Sequence, residues 1–208
     1  IIKLIRCGGR LKRLYAAVIN LLAAGLAVYA GFCMLWGVYY YGDDFMTRSG
    51  LKNDNISVEQ LETVTEYFAA LVNEYSSQVP RDADGNYVAD RDAILRRSNE
   101  VYANVEETLP CLSGPAVRAK GVYFSRVMSY TDFTGFFFPF TAEANVNTDF
   151  PPALFASTVA HELAHQRGVA KEQEANFAAV LASLEYGDAE YCYSACMLAY
   201  THLGNALY

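Results

Sequence analysis

In "TVAHELAHQRGVAKEQEANFAAVLASLEY", residues 158–186, two of the chain's three histidines stand four apart. On a helix His161 and His165 share one face, so both imidazoles can point at one ion. Neutral imidazole nitrogen suits zinc, and a catalytic zinc takes three protein ligands and leaves its fourth position to water. Glu162, directly after the first histidine, stands where its carboxylate can take a proton from that water. Gly168 reads as the glycine that stops the helix and turns the chain back toward the metal. A third ligand is then expected in "EQEAN". Glu172 and Asn176 are i, i+4 on the next helix, so one can bind metal while the other hydrogen-bonds a ligating histidine. Glu174 competes for the ligand's place. It falls on the stripe of Phe177, Leu181 and Leu184, where a buried carboxylate would need a partner of its own. Glu172 is the preferred ligand. A chance match to His-Glu-x-x-His in a chain of this length arises less than about once in a hundred. The competing readings are a surface helix whose histidines do nothing, or a zinc fold that cleaves nothing.

These residues need elements to hold them. Pro151 and Pro152 pre-set the start of a helix over 153–167. Before it, "TGFFFPFTAEANVNTD" is aromatic, glycine-marked and poor in helix formers, which predicts a short hairpin or edge strand with "AEANVNTD" extended. Farther upstream, "SVEQLETVTEYFAALVNEYSSQ" predicts a helix capped by Ser57, with Gln60 closing a capping box. Leu61, Val64, Phe68, Leu71, Val72 and Tyr75 give it one buried stripe. A second helix is expected from Asp90 to Leu109, stopped by Pro110. Between them "DADGNYVAD" imitates a calcium loop counted from Asp82. Tyr87 and Ala93 stand where the sharp-turn glycine and the bidentate glutamate belong, so a plain Asp-Gly turn is expected.

Hydrophobic residues make up 53% of the 208-residue chain and charged residues 19%, an apolar balance concentrated near the N-terminus. From Leu14 to Tyr41 the sequence "LYAAVINLLAAGLAVYAGFCMLWGVYYY" carries no charge, longer than the roughly 20 residues a membrane span needs. Lys3, Arg6, Arg10, Lys12 and Arg13 precede it, while Asp43 and Asp44 follow. Trp36, Tyr39, Tyr40 and Tyr41 crowd its far end, as aromatic rings do at a lipid–water boundary. The expected organisation is a basic cytoplasmic segment over 1–13, a transmembrane helix over 14–41, a linker over 42–56 and an outward-facing domain over 57–208. A cleaved signal peptide would have a shorter apolar core and a small-residue cleavage site. An intramembrane protease is disfavoured, because Glu162, His165, Gln166, Arg167 and Lys171 are too costly to bury in lipid. The start at Ile1 and the apolar end "MLAYTHLGNALY" suggest a piece of a longer protein, with "IIKLI" the tail of an earlier span. The net charge of −7 argues against nucleic acid as a partner. The five cysteines lack metal-ligand spacing and read as buried free thiols, although Cys111 could bridge to Cys192 or Cys196 outside the cytoplasm.

"TGFFFPFTAEANVNTDFP", "HELAHQRGVAKEQEANF" and "LWGVYYY" together resemble a bacterial membrane-protein family catalogued as domain of unknown function 3810. The resemblance runs from about Leu14 to the C-terminus and is strongest over 134–178. It implies a zincin-type metallopeptidase anchored by N-terminal membrane helices. The stretch E-x-x-A-N is similar to the third-ligand motif of glutamate-zincins, which makes Glu172 the ligand and Asn176 its support. Only six residues separate His165 from Glu172, a shorter linker than is usual there, and Glu174 stays in contention. The resemblance also makes "AEANVNTD" an edge strand on which a substrate backbone could add. Asn145 and Asn147 would then contact substrate or orient the site, unless they serve only to satisfy backbone groups.

The expected fold is therefore α+β and mainly α: one transmembrane helix, then a zincin-like domain. The expected function is a membrane-anchored metallopeptidase with one Zn2+ ion, its domain on the extracytoplasmic side, acting on a peptide or protein substrate. A membrane-anchored zinc-binding sensor or scaffold is the alternative. Tyr191, Tyr193, Tyr200 and His202 are candidates to stabilise an oxyanion.

Overall fold

A computed structural model describes residues 2–52 and 55–208. Ile1, the head of the suggested earlier span, and Asn53 and Asp54 in the expected linker lie outside the described residues. So do the side chains of residues 2–8, which include Lys3, Arg6 and Cys7.

The first helix, α1 (Ile2–Leu35), begins before the apolar run and includes the basic segment. Within it Gly9–Leu35 contains an 18-residue stretch with a mean hydropathy of 2.0 and no buried residue, and it is long and apolar enough to cross a membrane. The helix stops earlier than the apolar composition does. Gly37–Tyr40 forms a 3-10 turn, and Trp36 and Tyr39 fold back onto the domain instead of continuing along α1. The expected linker contains a short helix, α2 (Phe45–Ser49), capped by the Asp44 carboxylate, which accepts from the Thr47 N–H. Phe45 is fully buried, so this segment belongs to the domain core.

Helix α3 (Val58–Ser76) starts on the capping box of Ser57 and Gln60. Its apolar stripe is only half covered: α3 packs mainly on the C-terminal helix, and Val64 remains 42% exposed. The Asp82 carboxylate then accepts from the Asp84 and Asn86 N–H groups, and Gly85 takes a φ of +82°, the Asp-Gly turn. The single helix expected from Asp90 to Leu109 is two short ones, α4 (Arg91–Arg97) and α5 (Val105–Thr108). Ser98 explains the break. Its hydroxyl donates to the Leu95 carbonyl and accepts from the Ala119 N–H, competing with the helix ladder.

The remaining elements are β1 (Lys120–Gly121), α6 (Ser125–Ser129), β2 (Gly135–Phe138), β3 (Glu143–Val146), α7 (Pro152–Gln166), α8 (Glu172–Tyr186) and α9 (Ala189–Leu207). The sheet order is β1-β3-β2, with β2 antiparallel and β1 parallel to β3. "AEANVNTD" is thus the central strand, and the edge expected there is β2, "GFFF". Helix α7 runs between this sheet and the pair α8 and α9. Small side chains let it pack on both sides: Ala156, Ala160 and Ala164 on α7 and Ala175, Ala178, Ala179 and Ala182 on α8 are all fully buried. Polar contacts pin the periphery. Arg97 pairs with Asp188 and Glu190, Tyr191 donates to the Ile94 carbonyl, and the Arg167 guanidinium lies 4.2 Å above the Tyr102 ring. Cys33, Cys111, Cys192 and Cys196 are free thiols, the last two buried. The architecture is mainly helical with a small sheet and one N-terminal apolar helix.

Candidate metal centre

The turn after α7 builds the site. Gly168 takes a φ of +78°, a backbone that a side chain would strain. Its N–H donates to the His165 carbonyl and the Val169 N–H to the Ala164 carbonyl, the two bonds of a Schellman motif. The motif turns the Val169 carbonyl back onto α7, where it accepts from His165 Nδ1 at 2.7 Å. It also starts α8 at Glu172, one turn of chain away from the histidines.

His161, His165 and Glu172 are brought together, each offering one donor atom within 4.8 Å of the others. Glu172 Oε2 lies 3.1 Å from His161 Nε2, and Oε1 lies 3.5 Å from His165 Nε2. The three groups are close enough together that they could hold a metal ion. His161 Nδ1 lies 2.7 Å from Asn176 Oδ1 and His165 Nδ1 2.7 Å from the Val169 carbonyl; with both Nδ1 atoms donating to these oxygens, each Nε2 is turned toward the Glu172 carboxylate.

Charges in the cleft shift one another. Burial pulls His161 down, but Glu172, Glu162 and Asn176 outweigh it and leave the ring above its ordinary value. His165 is lowered by burial and by neighbouring His161. Glu172 is held below the usual carboxylate range, first by its bond to His161. Glu162 is pushed up to about 8, chiefly by burial. Its Oε2 is buried and has no hydrogen-bond partner among the described residues, a status it shares with side-chain atoms of Arg91, Arg97, Gln166, Arg167 and Ser183.

Glu174 takes no part in this cluster. It accepts from the Phe45 N–H at 3.0 Å and lies 3.6 Å from Lys171, so it ties the incoming segment to α8. Of the two glutamates, Glu172 alone faces the histidines. Asn145 and Asn147 are not brought to the cleft. Asn145 donates to the Glu143 carbonyl, and buried Asn147 donates to Ser129 and to the Phe133 carbonyl. Both are spent on backbone and loop groups because their strand is central. Among the oxyanion candidates, Tyr191 is committed to Ile94 and Tyr193 packs on Tyr87. His202 reaches Asn176 at 3.3 Å, and Tyr200 is exposed.

A cleft of about 350 Å³ opens over the cluster, walled by Phe133–Phe137, Trp36 and the three donors. Two of its parts escape sequence reasoning. Trp36 stands edge-on to His165 at 5.5 Å and packs on Phe137 at 5.0 Å, although its place at the end of an apolar run signals a lipid boundary. Gly135 lets β2 lie against the acid: a methyl there would sit 2.5 Å from Glu162 Oε1 and 2.9 Å from the Asn145 carbonyl oxygen. A glycine opening an aromatic strand was the available signal for such a close approach.

Residues 1–208 match the family described as "Protein of unknown function (DUF3810)". The match covers the whole chain, beyond the stretch that carries the resemblance. No curated protein and no solved structure matches it.

Proposed function

Because the chain belongs to the DUF3810 family, whose description leaves its chemistry open, we propose a function from the site itself: a membrane-anchored, zinc-dependent metallopeptidase of zincin type. α1 is its span and the domain lies on the extracytoplasmic side, since Arg10, Lys12 and Arg13 mark the cytoplasmic end. The observation that carries the reading is the convergence of His161, His165 and Glu172 beside a buried carboxylate, Glu162, with an unpartnered oxygen.

His161, His165 and Glu172 would hold the zinc, which would supply Lewis acidity toward a scissile carbonyl. Asn176 and the Val169 carbonyl orient the two imidazoles. The outer side of β2 has no strand partner among the described residues, so a substrate backbone can pair with it and lie across the cleft. Glu162 takes a proton from the attacking water as its oxygen bonds to the carbonyl carbon. The same carboxyl delivers that proton to the nitrogen as the C–N bond breaks, releasing an amine and a carboxylate. Phe133, Phe136, Phe137 and Trp36 give the cleft beside the acid an aromatic wall.

The direct test is metal content. The purified full chain should carry one zinc per molecule, and hydrolysis of a peptide library should stop on chelation and return with zinc. A chain with no stoichiometric zinc would sink the reading. Gly135→Ala should lower kcat by more than about tenfold, since overpacking of about 1–3 kcal/mol is relieved by moving Glu162. Zinc should stay bound in that variant, and unchanged kcat would show that β2 does not set the acid's position.

A further inference from the structure

The hairpin that carries the cleft's outer strand also reaches the apolar helix. Phe140, in the turn between β2 and β3, packs on Gly31: a methyl there would lie 3.1 Å from Phe140 Cε1. Phe138 packs on Phe140 with ring centroids 5.5 Å apart, yet the two rings stay 41% and 42% exposed. Trp36 against Phe137 and Tyr39 against Gly168 hold the end of α1 and the domain in one register. Gln166 donates to the Ala142 carbonyl at 2.6 Å and ties the hairpin to α7.

That register fixes a depth. Arg10, Lys12 and Arg13 bound the apolar stretch at one end. From Leu14 to Leu35 the helix measures about 33 Å at about 1.5 Å per residue, against a hydrocarbon core of about 30 Å. Gly31 lies about 6 Å inside the Leu35 end by the same rise. A ring packed on Gly31 is therefore level with acyl chains, at the depth of about 5–10 Å that apolar faces reach from a membrane surface. Residues 136–140 carry no charge. Glu143, three residues after Phe140, forms an ion pair with Lys120, which suits the headgroup layer.

We propose that the hairpin tip, Phe138–Pro139–Phe140, is a second membrane contact, immersed in the leaflet beside α1, and that it holds the mouth of the cleft at the bilayer surface. This rests on the reading of α1 as a membrane span and is independent of whether the cleft hydrolyses peptides.

The test uses the full chain in phosphatidylcholine vesicles with brominated acyl chains, which quench nearby tryptophan. Trp36 is the sole tryptophan, so a Trp36→Phe background leaves any introduced tryptophan as the only reporter. Leu22→Trp reports on α1. Phe140→Trp and, separately, Phe138→Trp report on the tip, so one poorly folding variant does not decide the matter. The expected result is quenching of a tip reporter to the same order as Leu22→Trp. Bright tip reporters beside a quenched helix reporter would overturn the proposal and leave the span standing. A bright helix reporter would remove the span, and the proposal with it.

Discussion

Glu162→Gln is expected to abolish hydrolysis while leaving zinc bound. The carboxyl is buried, it is not one of the three converging donors, and its Oε2 has no hydrogen-bond partner among the described residues. An amide of the same shape keeps the packing against Gly135 but cannot accept a proton from water. General acid–base catalysis contributes about 10²–10⁴-fold, so kcat should fall by that much while zinc stoichiometry stays unchanged. The variant should also be at least as stable as the parent, because an unpaired buried carboxyl costs free energy that a neutral amide lessens. Elemental analysis, a melting curve and a peptide-library assay on the same preparation read all three. Unchanged hydrolysis would sink the role given to Glu162. Bound zinc with no hydrolysis even by the parent chain would favour the sensor or scaffold.

The way the site is built explains what could be read from the sequence. Its histidine–glutamate half is local. His161 and His165 are one helical turn apart, Gly168 closes that helix, and Glu172 and Asn176 open the next, so spacing alone brings four side chains together. The capping box at Ser57 and the turn at Gly85 were legible for the same reason. The other half depends on long-range pairing. Which strand is the edge follows from β1 joining β3, a two-residue contact that no periodicity announces. Of the two readings left open for Asn145 and Asn147, the hydrogen bonds to the Glu143 and Phe133 carbonyls correspond to the one in which they satisfy backbone groups. Trp36 packs against His165 and Phe137 from the end of the apolar helix, and Phe45, within the expected linker, is buried with its N–H on Glu174; neither long-range contact is signalled by local composition. Helix 90–109 failed because Ser98 is claimed by Ala119, a partner far along the chain.

That same Phe45 contact makes the choice between two glutamates testable. Glu172→Ala is expected to lower zinc affinity by more than the roughly 10–100-fold typical of losing a supporting partner, because it removes a donor from the ion itself. The two imidazoles remain oriented by Asn176 and Val169, so the fold should survive and added zinc at high concentration should still bind weakly. Glu174→Ala should do the reverse. It leaves the buried Phe45 N–H without an acceptor and Lys171 with Asp44 alone. An unsatisfied buried donor costs about 1–3 kcal/mol, and each kcal/mol lowers the melting temperature by about 2–4 °C in a chain of this size. Zinc stoichiometry should not change. Isothermal titration with zinc and a melting curve on each variant separate the cases. Loss of zinc on Glu174→Ala with retention on Glu172→Ala would transfer the ligand role to the glutamate that faces α2, and the cleft would have to rearrange to accept it.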